Sequence, residues 1–338
     1  MSNFGLPEYD QHREWIRNAR NRNMKWEEID YAGRGNDEGL SEFLTQQSLL
    51  NFWKEVSCSE WKELVHLQKE AEEQTQVIDY LSGQAMIMGE GEDNDVTVPA
   101  DPQSAWQLYR KKLIKGGFKE EIVDEMERTT LKILKRLSSD TTEMKPVKGL
   151  VIGNVQSGKT ATYTAICNKA ADAGYRVIIV LAGMMENLRV QTQERLDAEF
   201  VGVESKYTLD KKAAQEIKNT PVGVGTIPPF NQDKRIACFT SVATDFNKAT
   251  LRALGLSLRT ISGTALFVVK KNKSVLNNLY RWLVENNADH ETGMIDLPLL
   301  LIDDEADNAS VNTNSEEKDP TAINQAICNI LDCFKQAS

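Results

Sequence analysis

The chain has 338 residues, and 41% of them are hydrophobic, which is enough for a sizeable core in two domains, or in one large domain with an appendage. Its formal net charge is −10, so the molecule as a whole is not a basic nucleic-acid binder, and any contact with nucleic acid must come from a local patch. The five cysteines are odd in number and include no Cys-x-x-Cys pair, which argues against a disulfide framework or a zinc site.

The sequence carries no sign of a membrane or secreted protein. No apolar run approaches the roughly 18 residues of a membrane span, and the first residues lack the apolar core of a signal peptide. We therefore expect a cytoplasmic protein with no membrane partner.

Residues 1–84 predict a helical N-terminal domain. Trp26–Ile29, a turn at Gly33–Asn36 and Leu40–Leu44 match a compact helix-turn-helix, which would read DNA. A small helical docking module is the favoured alternative, because the second helix carries almost no basic residues. An apolar helical face with large side chains is predicted from Phe52, Trp53, Val56, Trp61, Leu64 and Val65.

Two further segments precede the main domain. Residues 85–100 are rich in glycine and acid and read as a solvated linker. Residues 101–140 predict a helical segment that packs on the following domain, opened by Asp101 and Pro102 as helix cap and first helical residue.

Residues 145–338 predict an α/β lobe that begins with a phosphate-binding loop. The apolar run Val147–Ile152 reads as a strand that enters the pattern G-x-x-x-x-G-K-[ST], and Ala161–Ala173 reads as the following helix. Glycines let backbone N–H groups approach a phosphate, the lysine reaches the β- and γ-phosphates, and the threonine hydroxyl holds Mg²⁺. The predicted nucleotide-binding residues are Gly153, Asn154, Val155, Gln156, Ser157, Gly158, Lys159, Thr160 and Ala161.

Alternating strands and helices follow, which predicts a parallel sheet. Strands are expected at Tyr175–Gly183, Ile236–Thr240 and Ala265–Val269, with a helix over 187–200. Residues 202–232 are poorly patterned and read as an inserted surface excursion. The chain is expected to close as a helix over 321–334.

The second chemical motif is the apolar strand that ends in acids at Leu299–Asp307. A carboxylate at Asp304 can hold Mg²⁺ together with Thr160, and one at Glu305 can polarise an attacking water. Lys159, Asp304 and Glu305 are therefore the predicted catalytic residues. A buried strand with a solvated acidic turn is the alternative, and the intact phosphate-binding loop argues against it.

Polar and basic residues follow two of the strands, at the edge where α/β sheets bind ligands. Solvated helix and turn surfaces are the alternatives to a nucleic-acid contact at these positions. The candidate contact residues are Arg189, Gln191, Thr192, Arg195, Lys270, Lys271 and Asn272.

Taken together these stretches resemble a known family. The chain is similar to the bacterial "Z-one domain" proteins, an endonuclease family joined to a superfamily 2 helicase-type ATPase, over roughly residues 101–338. The resemblance implies a RecA-like lobe that binds ATP and Mg²⁺ and contacts nucleic acid, either DNA or RNA, through the seven candidate residues. It also implies membership of a restriction-like or anti-phage system with other defence subunits. It rests on Gly153–Thr160, Leu181–Gly183, Leu188–Arg195, Val269–Asn272 and Leu301–Ser310.

The chain also departs from a complete motor of this kind. It lacks a Ser-Ala-Thr or Thr-Ala-Thr-Pro motif after the acidic strand, a second RecA-like lobe with its arginines, and a recognisable nuclease centre. We therefore expect the first lobe of a larger protein or a natural short form, completed by a second lobe or a partner that supplies an arginine finger. The alternative function is a nucleotide-gated interaction module of a defence complex without translocation.

Overall fold

A computed structural model describes residues 7–22, 24–69, 94–97, 99–142, 147–150, 159–205, 209, 220–231, 236–306, 310 and 321–338. The chain forms two compact units. One contains residues 1–84, 112–125 and 153–158, and the other contains residues 85–111, 126–152 and 159–338.

The first unit is helical, as predicted for the N-terminus. Its core is aromatic: Trp53 and Trp61 stack with ring centroids 6.4 Å apart, and Phe43 meets both rings edge-on. The Trp61 indole N–H donates to the Ile29 carbonyl oxygen at 3.0 Å, which satisfies the polar atom of a fully buried ring. The helices of the N-terminal segment are α1 (Asp10–Asn21), α2 (Trp26–Ile29), α3 (Asp37–Asn51) and α4 (58–69).

The predicted continuous helical face from Phe52 to Val65 is wrong at its start. Helix α3 ends where Phe52 adopts a left-handed conformation with φ of 56°, and residues 52–57 are not helical. Trp53 and Val56 still reach the core from this connection, whereas Phe52 is 87% exposed. Apolar residues of a non-helical connection can enter the same core as those of a neighbouring helix, so their presence alone does not establish a continuous helix.

The second unit is built on a parallel sheet, which confirms the predicted α/β class. Five strands lie in the order β2-β3-β1-β4-β5, and every pairing is parallel. The strands are β1 (Val177–Ala182), β2 (Ala237–Cys238), β3 (Ala265–Lys270), β4 (Ile295–Asp303) and β5 (Phe334–Ala337). The remaining helices, two of which contribute to both units, are α5 (Ala105–Lys115), α6 (Glu120–Lys135), α7 (Lys159–Asp172), α8 (Glu186–Leu196), α9 (Lys248–Leu254), α10 (Lys273–Asn287) and α11 (Ala322–Asp332).

Helices cover both faces of the sheet, so its central strands are apolar throughout. All six residues of β1 are buried. Ile179 packs with Trp282 of α10 on one face, and Ile178 packs with Ile166 of α7 on the other. This two-sided burial explains why β1 shows a continuous apolar run instead of an alternating pattern.

Three sequence predictions about this unit need correction. The chain ends in strand β5 after α11 and does not continue as a helix to residue 334. Residues 147–150 are not a strand and Leu150 is 76% exposed, although the Val147 N–H donates to the Ala337 carbonyl oxygen of β5 at 3.1 Å. The segment around 202–232 is not a surface excursion where it is described, because Val203, Val222 and Val224 are buried.

Close backbone packing explains the glycines of that segment. A Cβ at Gly223 would lie 1.7 Å from the Ala198 carbonyl oxygen, and one at Gly225 would lie 1.8 Å from the Gly202 carbonyl oxygen. The glycines therefore serve packing against a π-helical turn at Asp197–Val201, where the sequence had predicted an uninterrupted α-helix. Within the described part of the chain, no helix is both long and apolar enough to cross a membrane.

Candidate active site

The candidate site lies at the carboxyl edge of the sheet, where three neighbouring strands end together. Ala182 of β1 pairs with Lys270 of β3, and Leu181 pairs with Asp303 of β4. The Asp304 N–H extends this ladder by donating to the Leu181 carbonyl oxygen at 3.0 Å. Parallel strands bring their carboxyl ends to one edge of the sheet. The acidic turn after β4 (304–305) and the basic junction between β3 and α10 (270–273) therefore lie close together here, although they are far apart in sequence.

The acidic turn places Glu305 in an unusual conformation. Its φ is 57°, in the left-handed region that residues other than glycine seldom occupy. Gly183 makes room for its side chain, because a Cβ at position 183 would lie 3.2 Å from Glu305 Oε2 and 2.6 Å from Leu188 Cδ1. Strained backbone of this kind is concentrated at functional sites, which makes Glu305 the conspicuous residue of this edge.

Lys271 contacts the acidic turn from the interior of the protein. Its side chain is fully buried, and its ammonium lies 2.7 Å from Asp303 Oδ1 and donates to the Glu305 carbonyl oxygen. Its backbone N–H donates to the Gly183 carbonyl oxygen at 2.9 Å. A buried ammonium needs such partners to offset its lost hydration, so Lys271 fastens the ends of three strands to one another.

Helix α7 begins at Lys159 and approaches the acidic turn through Tyr163. The Tyr163 phenol is buried and its pKa is raised, first by burial and then by the negative charge of Asp304. Tyr163 also shares a hydrogen bond with the side chain of Thr192, which is itself buried. Tyr163, on the second turn of α7, therefore lies within electrostatic reach of Asp304.

Arg189, Thr192 and Lys271, three of the candidate nucleic-acid contacts, lie inside the protein. Arg189 is fully buried, and its guanidinium donates to the carbonyl oxygens of Ser241 and Val242 at 2.9 and 3.1 Å. It also pairs with Glu186 at 2.7 Å. These partners fasten α8 to the loop after β2, so Arg189 is not a surface cation in this structure.

The other candidate contacts are closer to solvent. Lys270 is partly exposed and pairs with Glu186 at 2.8 Å, and Arg195 is partly exposed and pairs with Glu199 at 3.1 Å. Asn272 is exposed and caps α10, accepting from the Ser274 N–H at 2.9 Å, while Gln191 is exposed on α8. The prediction that these residues contact nucleic acid stays a prediction.

Sequence reasoning missed a buried polar network beside the edge. Asp197 Oδ2 accepts from the N–H and the hydroxyl of Ser205 at 2.8 and 2.6 Å, and Asp197 Oδ1 accepts from Gln193 at 2.9 Å. Gln193 in turn accepts from Thr240 at 2.8 Å. Burial raises the pKa of Asp197 to about 7. No local sequence motif predicts this network, because Gln193 comes from α8, Asp197 from the π-helical turn, and Ser205 and Thr240 from the connections after that turn and after β2.

Several predicted site residues lie outside the described part of the chain. These are the side chain of Lys159 and the loop residues Gly153, Asn154, Val155, Gln156, Ser157 and Gly158. Among the residues that the structure does describe, no group of three or more histidine, cysteine and acidic side chains is placed to hold a metal ion. Mg²⁺ in phosphate-transfer sites is held by one or two protein oxygens, waters and substrate phosphates, so the hydroxyl of Thr160 and the carboxylate of Asp304 remain suitable donors.

Fold and site together define an α/β protein with a five-stranded, all-parallel sheet, an acidic carboxyl edge and a helical N-terminal region. Comparison of the chain with protein-family models, with curated proteins and with solved structures found no match.

Proposed function

We propose that the chain is the nucleotide-binding lobe of a nucleic-acid-dependent ATPase of the superfamily 2 helicase or translocase kind, acting in a bacterial restriction-like or anti-phage system. The observation that carries this proposal is the position of Asp304 and Glu305 directly after β4, at the carboxyl edge of a parallel sheet where α/β proteins bind ligands. Helix α7 begins at Lys159, within the G-x-x-x-x-G-K-[ST] pattern of the sequence, and a helix that begins there is what such a pattern requires.

Each residue then has a distinct role. The loop up to Gly158 cradles the phosphates, and Lys159 neutralises the β- and γ-phosphates. Thr160 and Asp304 would hold Mg²⁺, which when bound neutralises charge that develops on the phosphates. Glu305 orients the attacking water, and the opening at Gly183 leaves space for that carboxylate.

Contact with nucleic acid belongs to the same edge in this proposal. Lys270 and Asn272 flank the junction between β3 and α10, and Lys273 opens that helix on the exposed side. A helix N-terminus with capping groups and nearby lysines suits a backbone phosphate. The net charge of −10 requires such contact to be local.

The deciding experiment measures binding of Mg-ATP and its turnover by the purified chain, with and without single-stranded DNA. Saturable binding that depends on Mg²⁺, together with turnover that rises with DNA, supports the proposal. A chain that does not bind Mg-ATP at millimolar concentration contradicts it.

A second candidate, the nucleotide-gated interaction module, is favoured by a feature of the N-terminal unit. Leu49, Leu50 and Phe52 are 72%, 64% and 87% exposed at the end of α3, and none of them contributes to the aromatic core. Exposed apolar clusters are typical of protein-interaction surfaces. Turnover of ATP that does not respond to DNA or RNA, but changes with a protein subunit of the same system, would favour this candidate.

A further inference from the structure

The junction between β3 and α10 alternates between outward and inward residues. Lys270 is partly exposed, and Asn272 and Lys273 are exposed, whereas Lys271 between them is fully buried. The inward residue reaches the acidic turn through Asp303 and the Glu305 carbonyl oxygen. The junction therefore exposes the proposed nucleic-acid contacts to solvent, while its buried lysine contacts the proposed catalytic turn.

The acidic turn holds Glu305 in a left-handed conformation that its contacts must stabilise. A left-handed glutamate is intrinsically disfavoured, so the contacts around Glu305 decide how often it occupies this conformation. Two of those contacts come from the junction or its partner: Lys271 donates to the Glu305 carbonyl oxygen, and the Lys271 N–H is bonded to Gly183, which faces the Glu305 side chain.

We propose that Lys271 is a positioning residue that couples nucleic-acid contact at Lys270, Asn272 and Lys273 to the conformation of Glu305, and thereby to the rate of ATP hydrolysis. This inference rests on the proposed function, because it assigns the regulation of that same site. A phosphate bound at the junction displaces or stiffens the segment, and the Lys271 ammonium transmits the change to the acidic turn.

A purely structural lysine would give a different pattern. Lys271 pairs with Asp303 in the interior, so its removal is expected to weaken folding whether or not coupling exists. A structural role predicts a lower melting temperature together with unchanged stimulation by nucleic acid in the folded fraction. A positioning role predicts loss of the stimulation itself, with the affinities for nucleotide and nucleic acid retained.

The test compares the wild-type chain with Lys271→Gln, Lys271→Arg and a matched control, Lys335→Gln. Lys335 is also a lysine that pairs with an aspartate of β4, Asp296, at 2.6 Å, but at the opposite end of that strand. Should Lys271→Gln fail to fold, the double variant Lys271→Gln/Asp303→Asn removes both charges and leaves no unpaired one. Turnover is measured under single-turnover conditions with and without single-stranded DNA, and affinities are measured by anisotropy with labelled nucleotide and labelled oligonucleotide.

We expect Lys271→Gln or the double variant to bind both ligands within about twofold of wild type and to lose at least tenfold of the DNA stimulation. Lys271→Arg should retain part of it, and Lys335→Gln should retain all of it. Hydrogen exchange of the peptide that contains Glu305 should respond to DNA in the wild type and not in Lys271→Gln. Undiminished stimulation and an unchanged exchange response in the variants would overturn the coupling while leaving the proposed function intact. A wild-type chain that binds no Mg-ATP would overturn both.

Discussion

The ammonium of Lys271 lies 2.7 Å from Oδ1 of Asp303, and this ion pair separates the roles of the three consecutive acids at the end of β4. Asp303 pairs with Lys271 and so connects the junction after β3 to the acidic turn. Asp304 and Glu305 follow it beyond the strand, where the Asp304 N–H continues the pairing with β1. The acids that we assign to magnesium and water are therefore those that lie past the structural pair.

Lys159→Ala and Glu305→Gln should separate nucleotide binding from turnover. Lys159 neutralises phosphate charge, so we expect its removal to abolish measurable binding of a fluorescent ATP analogue. Glu305→Gln removes the group that orients water and should preserve binding while turnover falls by about 10²-fold or more. Lys148→Ala, at an exposed lysine just before the loop, serves as the control. Equal weakening of binding by both site variants would argue against the assignment.

The sheet was predictable because its central strands carry a strong local signal. β1 and β3 are almost continuously apolar, and each is followed by a helix with polar residues at its start. Strand β5 was not predictable in the same way, because four residues that begin Phe334-Lys335 carry no clear period and the helix before them continues the apolar pattern. Its place beside β4 is set by pairing with Ile295 and Leu299.

The candidate site also has parts that were predictable from sequence and parts that were not. A strand that ends at the acidic residues and a helix that begins near residue 160 were both predictable from local sequence patterns. The burial of Arg189 and Lys271 does not follow from sequence, because a basic residue near a strand end looks the same whether it faces solvent or an interior carboxylate. Only tertiary partners decide between these outcomes: the carbonyl oxygens of Ser241 and Val242 for Arg189, and Asp303 for Lys271.

Gly183→Ala should impair turnover more than nucleotide binding. The added Cβ would lie 2.6 Å from Leu188 Cδ1 and 3.2 Å from Glu305 Oε2, so either the leucine or the glutamate must move. We expect a fall in kcat of at least tenfold with a nearly unchanged affinity for Mg-ATP. Gly149→Ala, where a Cβ meets nothing within 4 Å, should leave both quantities unchanged. Wild-type turnover in Gly183→Ala would separate this glycine from the position of Glu305.

The nucleic-acid contact should be visible in the salt dependence of binding. We expect Lys270→Ala combined with Lys273→Ala to weaken binding of single-stranded DNA. The negative slope of log K against log salt should also become shallower, by about 0.7 for each lost phosphate contact. The charge-matched control is Lys248→Ala with Lys335→Ala, two lysines in ion pairs with Glu285 and Asp296. If both double variants give the wild-type slope, the contact lies elsewhere, and the N-terminal helices become the next region to test.

The buried Asp197 should make stability depend on pH. Its pKa is about 7 in the folded chain, raised mainly by burial, and about 3.8 when unfolded. A raised carboxyl pKa stabilises the fold fully below the unfolded value, and this stability is lost as the pH rises towards 7. Relative to Asp197→Asn, the wild type should therefore gain unfolding free energy as the pH falls from 7 to 4, by at most about 1.4 kcal/mol per pH unit. Parallel urea titrations of the two proteins measure this difference, and a constant difference across that range would show that Asp197 does not titrate within it.

The chain by itself should bind Mg-ATP but hydrolyse it slowly. The proposed site has a phosphate cradle, magnesium ligands and a water-orienting glutamate, whereas Arg189 is buried against carbonyl oxygens and Arg195 pairs with Glu199. An arginine that stabilises the transition state is worth about 10³–10⁵ in rate, and in motors of this kind it comes from a second lobe or a partner. We therefore expect turnover well below 1 s⁻¹ and no unwinding or cleavage of DNA. Turnover at the rate of a complete motor would require an arginine already within the chain or one donated by a second copy. A dependence of the specific activity on protein concentration would distinguish these two sources.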